Sequence, residues 1–88
     1  MSRFVVQLTF TEGDRRLEVR PDHRAYLKEL LEQGKLVTAG PWADDTGALL
    51  IYEVADEQAM RDILAADPYT RAGVVEVTQL REWNPIFP

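Results

Sequence analysis

Two hydrophobic periodicities, one of two residues and one of 3.6 residues, follow each other along this chain. Their order constrains its fold more than any other feature. Apolar and polar residues alternate from Arg3 to Phe10, and a polar segment, residues 11–20, comes next. A stripe at helical spacing, two strand-like segments, a second helical stripe and a last strand-like segment complete the chain. A period of two is typical of a half-buried strand and a period of 3.6 of an amphipathic helix. The predicted order is therefore β-α-β-β-α-β.

The first predicted helix carries the only histidine of the chain, His23. Pro21 and Asp22 both favour the first turn of a helix, so we expect the helix to begin there and residues 11–20 to form a loop. Gly34 is suited to end it. The predicted inward stripe comprises His23, Tyr26, Leu27, Leu30 and Leu31.

The second predicted helix leads to an aspartate on its inward side. Asp56 is suited to cap its N-terminus. Its apolar stripe comprises Ala59, Met60, Ile63 and Leu64. Asp67 lies three and four residues beyond the last two of these, so it continues the same stripe. Pro68 fits a helix that has just ended.

The remaining segments are a hairpin and a final strand. Residues 35–42 and 48–54 form the two strands of the hairpin, and residues 44–47 carry the residue types of a turn. Residues 74–80 form the last strand. Residues 83–88 form a C-terminal tail, which we expect to have a packing role, with a lid or a dimer strap as the alternatives.

This order predicts an α+β fold of the ferredoxin-like type. Right-handed crossovers give an antiparallel sheet in the spatial order 4-1-3-2 with two helices on one face. Following the chain through this fold places the start of the first helix and the end of the second at one end of the sheet. We therefore expect His23 and Asp67 to lie close together.

The third predicted strand is apolar on both sides. Leu50, Tyr52 and Val54 face one way, whereas Leu49 and Ile51 face the other. A strand with two apolar faces needs cover on both, and the helices cover only one. A chain of 88 residues, predicted as one domain over 1–88, also gains buried area by association. We therefore expect a homodimer through the sheet faces.

Composition limits the classes of function. The chain has no cysteine, which excludes disulfides, thiolate catalysis and cysteine-zinc sites. Its net charge of −5 opposes nucleic-acid binding, which needs a basic face. No signal segment or membrane span is evident, so we expect a cytoplasmic protein, and no motif points to a cofactor.

His23 and Asp67 are the candidate catalytic residues. An imidazole titrates near neutral pH and serves as a general acid or base. A carboxylate beside it fixes the tautomer. The alternative is an inert polar residue at a helix start and a turn residue before a proline. One histidine with Asp44, Asp45 or Asp67 is a poor basis for zinc, so no metal is predicted.

Four further residues are candidates for substrate binding. Arg20 and Arg71 flank the predicted site and suit a carboxylate or phenolate, and Trp42 and Tyr69 suit aromatic walls. The alternative for the arginines is ordinary ion pairing on the surface, for instance with Glu18 or Asp22.

Two segments, RPDHRAYLKELLEQGKLVTAGP (20–41) and ADPYTRAGVVEV (66–77), resemble the YciI-like family, which has a YCII-related domain. The resemblance covers nearly the whole chain. It implies a ferredoxin-like domain that pairs into a dimeric α+β barrel, and an active site centred on His23 and Asp67. Arg20 and Tyr69 match further family positions, as do Gly40 and Pro41. Some relatives are dehydrochlorinases of ring compounds, and muconolactone isomerases share the wider barrel class.

Two functions remain open from the sequence. The first is a small enzyme that transfers a proton on a small cyclic or enol-like acid, in an elimination, a dehydrochlorination or an isomerisation. The second is a non-catalytic dimeric module that binds a small metabolite or a protein partner.

Overall fold

The protein has four strands and three helices, seen here in a computed structural model that describes residues 1–87. In chain order they are β1 (Ser2–Phe10), α1 (Arg15–Glu32), β2 (Leu36–Pro41), β3 (Gly47–Val54), α2 (Glu57–Ala66), α3 (Pro68–Ala72) and β4 (Val75–Trp83). Pro88, the last residue of the predicted tail, lies outside the described residues.

The four strands form one antiparallel sheet in the order β2-β3-β1-β4. This is the predicted order 4-1-3-2, so the ferredoxin-like fold is confirmed. β1 lies in the centre, where Val6 is opposite Leu50 of β3 on one side and Leu80 of β4 on the other.

The core lies between the helices and one face of the sheet. Alternate residues of β1 and β3 are buried there against both long helices. The main members are Phe4, Val6, Leu8, Leu50, Tyr52, Val54, Leu30, Met60 and Leu64. On the opposite face Val5, Leu49 and Ile51 are half-buried, and no helix covers them. That face is apolar along β3, as the sequence predicts.

The first helix begins at Arg15, so the predicted loop is correct for residues 11–14 and wrong for residues 15–20. Pro21 lies inside the helix, where it has no N–H to donate to the carbonyl of Leu17. A favourable residue type is only a weak guide to a helix start, because tertiary contacts override it. The contacts of Arg16 described below hold this first turn against the rest of the domain.

One member of the predicted inward stripe of α1 is also wrong. Leu31 is 53% exposed, whereas Leu30 is buried. Consecutive residues differ by about 100° around a helix, so Leu31 lies at the outer margin of the stripe. Gly34 does end the helix, with a φ of 76°, as expected.

The C-terminal part of the chain differs from the prediction at two points. A short helix, α3, follows Asp67, and β4 runs to Trp83, three residues beyond its predicted end. Ile86 and Phe87 are 85% and 80% exposed, so they do not pack on this chain. No helix within residues 1–87 is both long and apolar enough to cross a membrane.

Candidate functional site

His23 and Asp67 meet at the end of the sheet where α1 passes the junction of α2 and α3. His23 Nδ1 lies 2.8 Å from Asp67 Oδ1, and the two residues are only 7% and 1% exposed. The predicted proximity of the two is therefore confirmed. Their catalytic role stays a prediction.

Asp67 has a second partner that explains its position. The same Oδ1 atom accepts the backbone N–H of Tyr69 at 2.9 Å, which caps the N-terminus of α3. Because a carboxylate only accepts, Nδ1 of His23 must donate to it. In the neutral imidazole the lone pair is then on Nε2, the atom that would act as a base.

The imidazole of His23 is also held by an aromatic stack. The ring of Tyr69 lies parallel to it, with centroids 3.8 Å apart and planes 10° from parallel. The rings of Phe10 and Tyr69 make an edge-to-face contact, with their centroids 6.1 Å apart. Burial raises the pKa of Tyr69, and the nearby arginines Arg16, Arg20 and Arg24 oppose this. The hydrogen bond and the stack together fix where Nε2 points.

A cavity of about 260 Å³ opens beside His23. Besides apolar side chains, its walls contain three arginines, one aspartate, one tyrosine and the histidine. These residues are Arg16, Arg20, Arg24, Asp45, Tyr69 and His23. Nε2 makes no hydrogen bond within residues 1–87, and it is not among the side-chain atoms sealed from solvent without a partner. We conclude that Nε2 is accessible from the cavity.

An ion pair joins two of the residues that line this cavity. Arg16 donates to Asp45 at 2.6 Å, and its guanidinium also lies 4.3 Å from the ring centroid of Phe10. The pair joins the first turn of α1 to the tip of the β2–β3 hairpin. It holds Arg16 in place, with a side chain only 16% exposed.

The structure brings together some of the predicted binding residues and not others. Arg20 and Tyr69 line the cavity beside His23. Arg71 is exposed on α3 and does not line it. Trp42 lies in a separate groove with Leu49, on the outer side of the sheet. The structure therefore does not bring these two side chains into the cavity beside His23, and the binding roles of all four residues stay predictions.

Sequence reasoning missed Arg16, Arg24 and Asp45 as cavity residues. Arg16, Arg20 and Arg24 recur at intervals of four residues, which places them on one face of a helix. That signal is lost once residues 11–20 are assigned to a loop. The acidic residues of the same segment face elsewhere, and Glu18 pairs with Arg15 at 3.8 Å.

Behind the pair lies a tyrosine hydroxyl with no partner. Tyr52 on β3 is fully buried, and its hydroxyl is the only sealed side-chain N or O atom within residues 1–87 that lacks a hydrogen bond. Burial and the nearby carboxylate of Asp67 raise the pKa of Tyr52 far above 10.0. Tyr26, by contrast, donates its hydroxyl to the carbonyl of Ile63 at 2.7 Å.

We expect Tyr52→Phe to leave the free energy of unfolding unchanged or to raise it by up to about 1 kcal/mol, because it removes an unpaired buried hydroxyl. The matched control, Tyr26→Phe, loses a real hydrogen bond and should cost about 1 kcal/mol. Urea unfolding of both variants at neutral pH measures this. An equal loss in both would mean that Tyr52 has a partner.

Tyr52→Phe should also change how the free energy of unfolding depends on pH above neutrality. The folded-state pKa of Tyr52 is raised, so the folded protein keeps a proton that the unfolded chain releases above 10.0. Stability is therefore lost as the pH rises through that value. The loss between neutral and alkaline pH should be smaller in Tyr52→Phe than in the unsubstituted protein.

Known proteins resemble this chain in sequence and in fold. The model of the YCII-related domain matches residues 2–84. Protein YciI of Escherichia coli O6:H1 is 36% identical over 84 residues, which cover 84% of this chain and 86% of that protein. An uncharacterized protein of Haemophilus influenzae has the same identity and coverage.

One solved structure adds a chemical activity to the comparison. It is 5-chloro-2-hydroxyhydroquinone dehydrochlorinase (TftG) from Burkholderia phenoliruptrix, in complex with 2,5-dihydroxybenzoquinone. It superimposes with a TM-score of 0.80 at 27% identity, over 93% of each chain. The match of sequence over nearly the whole chain, together with this fold, shows that the chain belongs to the YCII-related domain family.

Proposed function

We propose that this protein is a small enzyme that uses the His23–Asp67 pair to transfer a proton on a small cyclic or enol-like acid. The observation that carries the proposal is the 2.8 Å contact between Nδ1 and Oδ1, which leaves Nε2 as the accessible nitrogen beside a cavity. A histidine placed in this way can act as a general base.

The proposed reaction begins with removal of a substrate proton by Nε2 of His23. Asp67 stabilises the imidazolium that forms, because its carboxylate already accepts the proton on Nδ1. The electron pair left on the substrate forms a new double bond. In an elimination chloride or another leaving group departs, and in an isomerisation the imidazolium returns its proton to a different atom.

The cavity walls suit a flat anion. Arg20 and Arg24 line it together with apolar residues such as Leu27 and Leu50. A guanidinium binds a carboxylate, phenolate or enolate through paired N–H donors. Tyr69 is already stacked on His23, so its role in this proposal is to hold the imidazole and form part of the wall.

The comparison with the dehydrochlorinase supports the elimination form of this proposal. That protein, by its name, removes hydrogen chloride from a chlorinated hydroxyhydroquinone, and it shares 27% of its residues with this chain. A base beside an anion-binding cavity is what such an elimination needs.

A thermal-shift screen of ring-sized carboxylates, phenols and enols tests the proposal. A ligand of the folded state raises the unfolding midpoint by mass action. Hits are then incubated with the unsubstituted protein and with His23→Asn, and product is followed by mass spectrometry. Turnover that needs His23 supports the enzyme, whereas ligands that bind equally to both proteins and are never converted favour the alternative, a non-catalytic dimeric module that binds a metabolite.

We also propose that two copies pair through the outer faces of their sheets. Val5, Leu49 and Ile51 form a half-buried apolar strip there, and Trp42 extends it. Sedimentation equilibrium of Ile51→Lys against the unsubstituted protein tests this, since a charge in the strip should give monomers. A cytoplasmic location also stays a prediction.

A further inference from the structure

The arginines of this protein are concentrated in the one cavity that His23 lines. The chain as a whole carries a net charge of −5, yet three of its arginines line this cavity. Arg16, Arg20 and Arg24 follow one another at intervals of four along α1. The cavity is therefore a positive site on an acidic protein, and such a site raises the local concentration of anions.

The carboxylates next to these arginines reduce that positive charge. Asp45 pairs with Arg16 at 2.6 Å, and Asp67 lies behind His23. Within residues 1–87, neither Arg20 nor Arg24 makes an ion pair. With a neutral imidazole, three guanidinium groups and two carboxylates leave one positive charge at the site.

We propose that Asp45, by occupying Arg16, lowers the affinity of the cavity for dianions more than for monoanions. The inference rests on the proposed function, whose substrate class it narrows by charge. Arg20 and Arg24 are the groups left to bind the anion. The carboxylate of Asp45 repels each negative charge of the ligand, so it weakens binding of a dianion more than binding of a monoanion.

Asp45 can be changed without disturbing the hairpin. It is the only non-glycine residue within residues 1–87 with a positive φ, at 60°. Asparagine is among the residue types that tolerate this left-handed conformation best. Asp45→Asn therefore removes the charge and keeps the turn.

The size of the effect follows from Coulomb's law. A unit charge about 8 Å away, at an effective dielectric constant between that of a protein surface and that of water, changes affinity by roughly threefold for each ligand charge. Asp45→Asn should therefore strengthen binding of a monoanion about threefold and of a dianion about tenfold. The ratio of the two affinities is the quantity that reports selection.

The test uses two probes of nearly equal size and different charge, 3-carbamoylbenzoate and isophthalate. The chain has a single histidine, so its imidazole resonances report binding at this cavity alone. Titrations followed by NMR at neutral pH give the affinity of each probe. We expect Asp45→Asn to shift the ratio of the two affinities toward isophthalate about threefold relative to the unsubstituted protein.

Two further variants separate the cavity from the overall charge. Asp44→Asn makes the same change in net charge one residue away, where the carboxylate binds Thr46 and does not line the cavity. It should shift the ratio clearly less, because this carboxylate is farther from the cavity and more screened by solvent. Arg16→Gln combined with Asp45→Asn removes both members of the ion pair and keeps the net charge of the site, so it should restore the affinity ratio of the unsubstituted protein.

The outcomes distinguish this inference from the proposed function. If the probes bind but Asp45→Asn leaves their ratio unchanged, or if Asp44→Asn shifts it equally, the selection by Asp45 is overturned and the proton-transfer site stands. If neither probe perturbs His23 in any variant, both the selection and the acidic substrate class are overturned.

Discussion

Replacing His23 with asparagine is expected to lower turnover by about 10²–10⁴-fold, the usual contribution of a general acid or base. The amide nitrogen of asparagine can lie close to the position of Nδ1, so it can still donate to Asp67. What it lacks is a lone pair at the position of Nε2. Steady-state rates on a substrate found by the screen, together with urea unfolding, measure the two effects.

His23→Ala is the informative comparison for this variant. It leaves the buried carboxylate of Asp67 with one donor fewer, which should cost about 2–3 kcal/mol of stability. It also removes the ring that Tyr69 stacks on. Both variants should be inactive, but only His23→Ala should be clearly destabilised. A His23→Asn protein that keeps full turnover would contradict a catalytic His23.

Replacing Asp67 with alanine is expected to lower the free energy of unfolding by about 2–4 kcal/mol. The loss has two parts, because Oδ1 serves two donors. One is the N-terminal cap of α3, and the other is the bond from the buried His23. Turnover should fall as well, since nothing then holds the proton on Nδ1. Urea unfolding checks the first effect and kinetics the second.

Asp67→Asn separates position from charge. The side-chain oxygen of asparagine can still accept both N–H groups, so the cap and the tautomer are kept. Only the negative charge that stabilises the imidazolium is lost, and we expect turnover to fall about 10- to 100-fold. The ¹⁵N resonances of the single histidine report the tautomer in each variant. If Asp67→Asn is as unstable as Asp67→Ala, the charge itself holds the fold.

The sequence predicted the sheet and the meeting of His23 with Asp67 because both follow from local periods and chain direction. Alternation along β1 and β3 assigns their buried faces, and the order of elements leaves few topologies. The directions of the two long helices then place the start of the first and the end of the second at the same end of the sheet. No side-chain detail is needed for that step.

The sequence also contained signals that were outweighed by stronger local ones. Asp67 followed by Pro68, with Gly73 beyond, is the pattern of an N-cap, a first-turn proline and a left-handed C-cap, and it forms α3. Arginines at intervals of four marked the helical face at 16–24. The proline at position 21 suggested a later start, and a helix of 18 residues tolerates the one lost hydrogen bond.

Sequence alone therefore determined the fold class, the pairing of the strands and the location of the histidine–aspartate pair. Tertiary structure alone decided which arginines share a cavity with that pair, that Asp45 occupies Arg16, and that Trp42 and Arg71 point elsewhere. The physical reason is that periodicity assigns a residue to a face of its own element. Which side chains meet across elements depends on packing distances that differ by only a few ångströms.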